Sequence, residues 1–169
     1  MLTPPGFSII RCDRELQPGG GLAIIHKNDI IINPLTSVHY PTFEYLGAEL
    51  TTKGSKHTKY HLIYHPPGEN KPFVEDLPNL IIRHTLMDCN DIILRDLNLH
   101  WNDPESKQIQ ELNSVLDLHD RKQIYKGPTH AKGATLDAIF PKHDLATPRA
   151  ITPLDWSDHH QIAFNLNIL

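Results

Sequence analysis

Apolar and polar positions alternate most regularly near the end of the chain. Ile162, Phe164, Leu166 and Ile168 recur at every second residue, the period of a strand with one buried face. A similar alternation spans 43–50, with Glu44, Leu46, Ala48 and Leu50 on one face and Phe43, Tyr45 and Gly47 on the other. Lys53-Gly54-Ser55-Lys56 then supplies a turn, and 60–64 reads as the returning strand, stopped by Pro66-Pro67-Gly68. Shorter apolar runs predict strands at 22–26, fed by the flexible Gly19-Gly20-Gly21, and at 30–32, closed by Asn33-Pro34. Others fall at 91–94, 136–140 and 149–154.

Helical spacing occurs twice. Phe73, Leu77, Leu80 and Ile81 predict a helix over 72–87, with Pro78 marking a kink or a later start. Ile109, Leu112, Val115 and Leu116 give one apolar face to a second helix, for which Asp103-Pro104-Glu105 offers an N-cap with proline at the first helical position. Strands outnumber helices, and the chain shows no repeat, low-complexity segment or linker. The pattern predicts a single domain over 1–169, two packed sheets with a few outer helices.

Composition narrows the function classes. A chain of 169 residues with 39% hydrophobic and 21% charged positions can bury a core of ordinary size. No apolar run approaches the length of a membrane span. The start lacks a basic segment followed by an apolar one, so an intracellular protein is expected, with Cys12 and Cys89 as free thiols. Sixteen basic against 20 acidic residues give a net charge of −4, which excludes coating a duplex by charge alone. It leaves room for an enzyme that grips nucleic acid locally, through a metal and a few basic loops. The triple glycine is not a phosphate loop, because no Lys-Ser/Thr pair or helical pattern follows it.

Three acidic stretches fall at strand ends: Arg95-Asp96-Leu97-Asn98, Thr135-Leu136-Asp137 and Ser157-Asp158-His159. Each has a structural reading: an Asx turn at Asp96 to Asn98, a carboxylate satisfied by backbone amides or an Arg at Asp137, a turn Asp beside a solvated His at Asp158. Together they supply what phosphodiester hydrolysis needs: a carboxylate for a divalent metal, a base for water, a carboxylate to orient the base and an amide to position the phosphate.

The order of these stretches, with Pro5-Gly6-Phe7-Ser8-Ile9-Ile10-Arg11-Cys12-Asp13-Arg14, Gly19 through Ile24, Ile63-Tyr64-His65-Pro66-Pro67-Gly68 and Gly127-Pro128-Thr129-His130, resembles the endonuclease/exonuclease/phosphatase superfamily. The likeness is greatest to the apurinic-like endonuclease domain of non-LTR (LINE-type) retrotransposons, and runs nearly end to end. It implies an α+β fold, a four-layer α/β/β/α sandwich of two packed mixed β-sheets, with the site at strand ends between them. It implies that Asp96 handles protons around water or leaving group and that Asn98 holds the phosphate. By the same likeness Asp137 orients His159, His159 acts on the scissile phosphate or its attacking water, Tyr64 contacts phosphate and Asp158 is a metal-site acid. Thr129 and His130 match a loop with a weaker claim to touch DNA. The implied cofactor is Mg2+, with Mn2+ as alternative; the implied partners are DNA and a reverse transcriptase domain in a parent polyprotein.

Four departures follow. Arg95 stands where the superfamily has Gly, and a cation there is expected to compete with the metal for Asp96. Leu97 replaces Phe, and His65 replaces the Arg after the tyrosine. The first strands, with an Asn and the metal-binding Glu, are expected to be missing. The leading reading is thus a strand-nicking, Mg2+-dependent endonuclease domain weakened by that loss. The alternatives are an impaired remnant retaining only the fold, or a phosphatase of the same superfamily.

Overall fold

The computed structural model describes residues 3–14, 21–35, 38, 40–51, 57–68, 71–85 and 90–167. Gly19, Gly20, the 53–56 turn, Met87, Cys89 and Ile168 lie outside them. In chain order the elements are β1 (Phe7–Cys12), β2 (Leu22–Lys27), β3 (Ile31–Pro34), β4 (Glu44–Thr51), β5 (Thr58–Tyr64), α1 (Lys71–Thr85), β6 (Asn90–Asp96), α2 (Lys107–Leu118), β7 (Asp137–Pro141), β8 (Ala146–Leu154) and β9 (Ser157–Leu166).

Five strands form a mixed sheet in the order β3-β4-β5-β6-β7. β5 and β6 are parallel and the other neighbours antiparallel. Parallel strands need a crossover, and α1 provides it. β6 is covered on both faces, which is why Ile92-Ile93-Leu94 is a continuous apolar run rather than an alternating one.

One sheet face packs under the helices. Phe73, Leu77, Leu80 and Ile81 of α1 and Ile109, Leu112 and Leu116 of α2 meet Tyr45, Ile63, Ile93, Ala138 and Phe140. The opposite face packs against the antiparallel pair β8–β9: Ile151, Ile162, Phe164 and Leu166 cover Tyr60, Ile92, Leu94 and Ile139. The β1–β2 ribbon lies against β4 and β5. The architecture is the expected α+β one, and both described helices lie on the same side of the central sheet. No described helix is long and apolar enough to cross a membrane.

Two helix starts differ from expectation. α1 begins at Lys71 and continues through Pro78, so the proline causes no later start. α2 begins at Lys107, not at Pro104. Its cap is Ser106, whose Oγ accepts from Ile109 N at 3.5 Å, while Asp103 closes a separate turn by accepting from Glu105 N at 3.1 Å. Two residues able to cap stand three positions apart, and the one immediately before the apolar face wins.

β6 also carries a buried charge. Asp91 is fully buried and receives the Arg121 guanidinium, itself 1% exposed, which donates from Nη2 to Asp91 Oδ1 and from Nη1 to Phe140 O.

Candidate active site

Strand parity decides what this site contains. Along β6, Ile93 and Arg95 face the helices, and Ile92, Leu94 and Asp96 face β8–β9. Asp96 is the direct cross-strand partner of Tyr64 on β5 and of Asp137 on β7, and Tyr64 is in turn the partner of Glu44 on β4. Directly paired residues project to the same face. Glu44, Tyr64, Asp96 and Asp137 therefore form one row across four strands, at the carboxyl ends of the parallel pair.

β9 brings an imidazole over this row. His159 Nδ1 donates to Asp137 Oδ2 at 2.9 Å, and His159 Nε2 lies 3.8 Å from Asp96 Oδ2. Asp96 Oδ1 accepts from Asn98 N at 3.1 Å, so the expected Asx turn is present. Asn98 takes a left-handed conformation (φ 51°), which Asn tolerates better than most residues. Its amide nitrogen donates to His65 O at 2.7 Å, which leaves Oδ1 as an acceptor.

The 127–134 loop fastens the pieces together. Thr129 is fully buried, and its hydroxyl oxygen accepts from both Leu136 N (3.0 Å) and Asp137 N (2.9 Å). Its backbone oxygen accepts from His160 N at 2.8 Å. Thr129 thus lies beneath the site, out of reach of a substrate, and holds Asp137 where His159 needs it. His130 pairs with His159 through the backbone, and their rings meet edge to face at 5.2 Å. Its Nδ1 accepts from Lys132 N at 3.1 Å, so a neutral His130 carries its proton on Nε2, 3.3 Å from Asp158 Oδ2.

Burial raises the pKa of the Asp96 carboxyl, and the neighbouring Asp137 charge adds to this; Asn98 N–H and His159 oppose it. Burial lowers that of His159, but the hydrogen bond and charge of Asp137, with the charges of Asp96 and Asp158, outweigh it and leave the imidazole above its ordinary 6.5. For Asp158 desolvation pushes upward, but its own backbone N–H, the hydrogen bond and charge of His130 and the charge of His159 together outweigh it, so it titrates lower than usual.

Asp96, Asn98, Asp137, His159 and Tyr64 are brought to one place. Asp158 is not in the same cluster of ligand atoms: Asp96, Asp137 and His159 form one group of donors within 4.8 Å, and His130, Asp158 and His159 another. Asp158 is 72% exposed at its side chain. Asp96 and Asp137, like charges side by side, offer the oxygens a hard cation requires. Mg2+ takes one or two carboxylates and leaves its other positions to water and phosphate, so these residues fit it. A shallow recess between 98–100 and the start of α2 shares only Asn98 with the site.

Arg95 does not do what its place in the sequence suggests. Its guanidinium lies on the helix face, 3.7 Å from the Phe140 ring centre and 4.2 Å from that of Trp101. It is 5% exposed, its three nitrogens have no hydrogen-bond partner among the described residues, and burial lowers its pKa. Neighbours in a strand point to opposite faces, so Arg95 does not compete for Asp96. His65 is buried on Phe73, ring centres 4.4 Å apart, and its Nδ1 donates to Leu97 O at 2.9 Å.

One pair in the row lay outside the sequence reading. Arg14 Nε donates to Glu44 Oε1, and Arg14 Cζ lies 5.1 Å from the Tyr64 ring centre. The available signal was Glu44 itself, a carboxylate on the face shared with Leu46, Ala48 and Leu50.

No protein-family model and no curated protein matches the chain. Solved structures do. An endonuclease/exonuclease/phosphatase from Bacteroides vulgatus superposes with a TM-score of 0.67 at 12% identity, over 96% of this chain and 77% of that one. A mannosyl-6-phosphatase of Bacteroides thetaiotaomicron gives 0.64 at 13%, over 96% and 77%. TDP2 of D. rerio, complexed with a single-strand DNA product, gives 0.61 at 16%, over 95% and 77%. The chain therefore carries the fold found in endonuclease/exonuclease/phosphatase structures.

Proposed function

We propose that this chain is a divalent-metal-assisted endonuclease domain that hydrolyses DNA phosphodiester bonds, of the retrotransposon-derived kind that accompanies a reverse transcriptase. One observation carries the reading: His159 is held by Asp137 through Nδ1 with Nε2 turned to a second carboxylate, Asp96, at 3.8 Å. An anionic Asp137 keeps the proton of neutral His159 on Nδ1, and Nε2 is then the free base. Water gives its proton to Nε2 as its oxygen bonds to phosphorus, the bond to the 3′ oxygen breaks, and the departing oxygen takes a proton from solvent water, leaving a 3′-hydroxyl and a 5′-phosphate. The Tyr64 hydroxyl donates to a non-bridging phosphate oxygen. Asn98 holds the phosphate, and Asp96 with Asp137 would hold the cation, Mg2+ or Mn2+, which when bound neutralises phosphate charge and acidifies water.

A catalytically weak domain is the second reading, and a specific observation favours it. Among the described residues, both groups of ligand atoms include His159, and neither is made of oxygens alone. The experiment is nicking of supercoiled plasmid with Mg2+ or Mn2+. His159→Ala and Asp137→Ala are each expected to lower the rate by about 10²–10⁴-fold. Nicking that survives EDTA or His159→Ala would sink the reading. Turnover of p-nitrophenyl phosphate without nicking would replace it with a phosphatase.

A further inference from the structure

Glu44 and Arg14 extend the row beyond the residues that the proposed reaction uses. The guanidinium stands over Tyr64, one strand from Asp96. Adjacent strands are about 4.8 Å apart, so Arg14 is roughly 5–10 Å from the Asp96 carboxylate, further than the reacting phosphate but near enough for the next one along a strand.

The charge around the site makes the position unusual. Glu44, Asp96, Asp137 and Asp158 are four carboxylates lining a place meant for a polyanion. Against them stand His159, His130 and Arg14, and only the guanidinium is charged at every working pH. Arg14 is also restrained. Its side chain is 26% exposed, compared with 51% for Arg11 on the same stretch; Glu44 takes Nε and Tyr64 one further hydrogen bond, and the remaining N–H groups of the fork can serve an anion. Arg11, by contrast, gives both Nε and Nη2 to Asp13 Oδ1. The carboxylate of Glu44 and the hydroxyl of Tyr64 raise the Arg14 pKa, so the guanidinium stays protonated beside its counter-charge.

We propose that Arg14 is a positioning residue that takes a backbone phosphate flanking the scissile one, with Glu44 fixing its guanidinium over Tyr64. This rests on the reading of the site as a DNA phosphodiesterase. It adds a subsite with a definite charge requirement. A rigid fork suits a phosphate through two parallel N–H donors, which a lysine supplies less well.

The test is the salt dependence of binding to a short fluorescent DNA duplex, with Ca2+ in place of Mg2+. Each phosphate contact contributes about one unit to the slope of log affinity against log salt. Arg14→Gln is expected to weaken binding about tenfold at low salt and reduce the slope by about one. Arg14→Lys should keep the slope while binding more weakly than wild type, and Arg11→Gln should leave the slope unchanged. Glu44→Gln breaks the same ion pair but keeps the Arg14 charge. It should bind at least as tightly as wild type with the slope preserved, and this decides the matter if Arg14→Gln does not fold. An unchanged slope in folded Arg14→Gln, or weaker binding with a reduced slope in Glu44→Gln, overturns the proposal while leaving the site reading intact. No DNA binding by the wild type removes both.

Discussion

Arg95 allows the volume of a side chain to be tested separately from its charge. In Arg95→Met the hydrocarbon stem stays between Trp101 and Phe140, and the guanidinium goes. The three nitrogens, without a partner among the described residues, represent a buried polar group without hydrogen bonds, a cost of about 1–3 kcal/mol. Two ring contacts offset part of this, by about 0.5–2 kcal/mol each when desolvated. Methionine recovers some of the aromatic contact through sulfur. At mid-range these contributions nearly cancel, so the variant is expected within about 1 kcal/mol of wild type, a Tm change of no more than about 2–4 °C. Arg95→Gly should behave oppositely. It opens a cavity between two rings at a cost of about 2–5 kcal/mol and adds about 0.5–1 kcal/mol for glycine in a strand interior. Neither variant should change nicking per folded molecule, because Asp96 is on the other face. Urea unfolding followed by circular dichroism, with plasmid nicking at matched folded concentration, reads both quantities. A loss above about 2 kcal/mol in Arg95→Met would reveal a hidden partner for the guanidinium. A gain of activity in Arg95→Gly would refute the parity argument.

Other outcomes follow from named contacts. With His159 as base, kcat/KM should rise with pH through a midpoint above 6.5, and Asp137→Asn should move that limb to lower pH as well as slow the reaction. In EDTA the same group predicts stability that is fully present below pH 6.5 and lost as pH rises through the raised value, since the folded state holds the proton more tightly; His159→Gln should flatten this region of a Tm–pH curve. Thr129→Val leaves two buried N–H groups unmatched and should cost about 1–3 kcal/mol with a loss of nicking, whereas Thr129→Ser should stay near wild type in both melting and activity assays. Asp91→Ala strands the Arg121 charge and should cost about 3–5 kcal/mol in urea unfolding, most of it recovered in Asp91→Leu/Arg121→Met.

β2 to β9 were legible from a period of two or a short apolar run, whereas β1, with only Ile9-Ile10 as a continuous run, was not read as a strand. What the sequence hid was direction. Arg95 and Asp96 are adjacent in the chain, and only the pleat puts one under the helices and the other at the site. Asp158 and His159 read as a pair, yet Asp137, 22 positions away from His159, is the nearer partner of the imidazole. Thr129 belonged to a recognisable loop, but its two bonds to Leu136 and Asp137 depend on how that loop folds back on β7. Glu44 stood out as a charge on an apolar face; its partner Arg14, 30 residues earlier, left no periodic trace.

The row across the sheet gives a physical reason for seating the proposed cation at its centre. Glu44, Asp96 and Asp137 project from nearby strands onto one face, an arrangement that mutual repulsion disfavours. Each end of the row has its own counter-charge: Arg14 on Glu44, His159 on Asp137. Asp96, in the middle, has one backbone N–H from Asn98 and a share of an imidazole 3.8 Å away. It is also the carboxyl whose pKa burial pushes up, whereas exposed Asp158 titrates low. The least compensated carboxylate gains most from a divalent ion, because Coulomb attraction grows where water is excluded. Asp158, already matched by His130 and open to solvent, gains less. The same imbalance makes His159 serve two ends, since the proton that quiets Asp96 without metal is the one Nε2 must give up to act as a base.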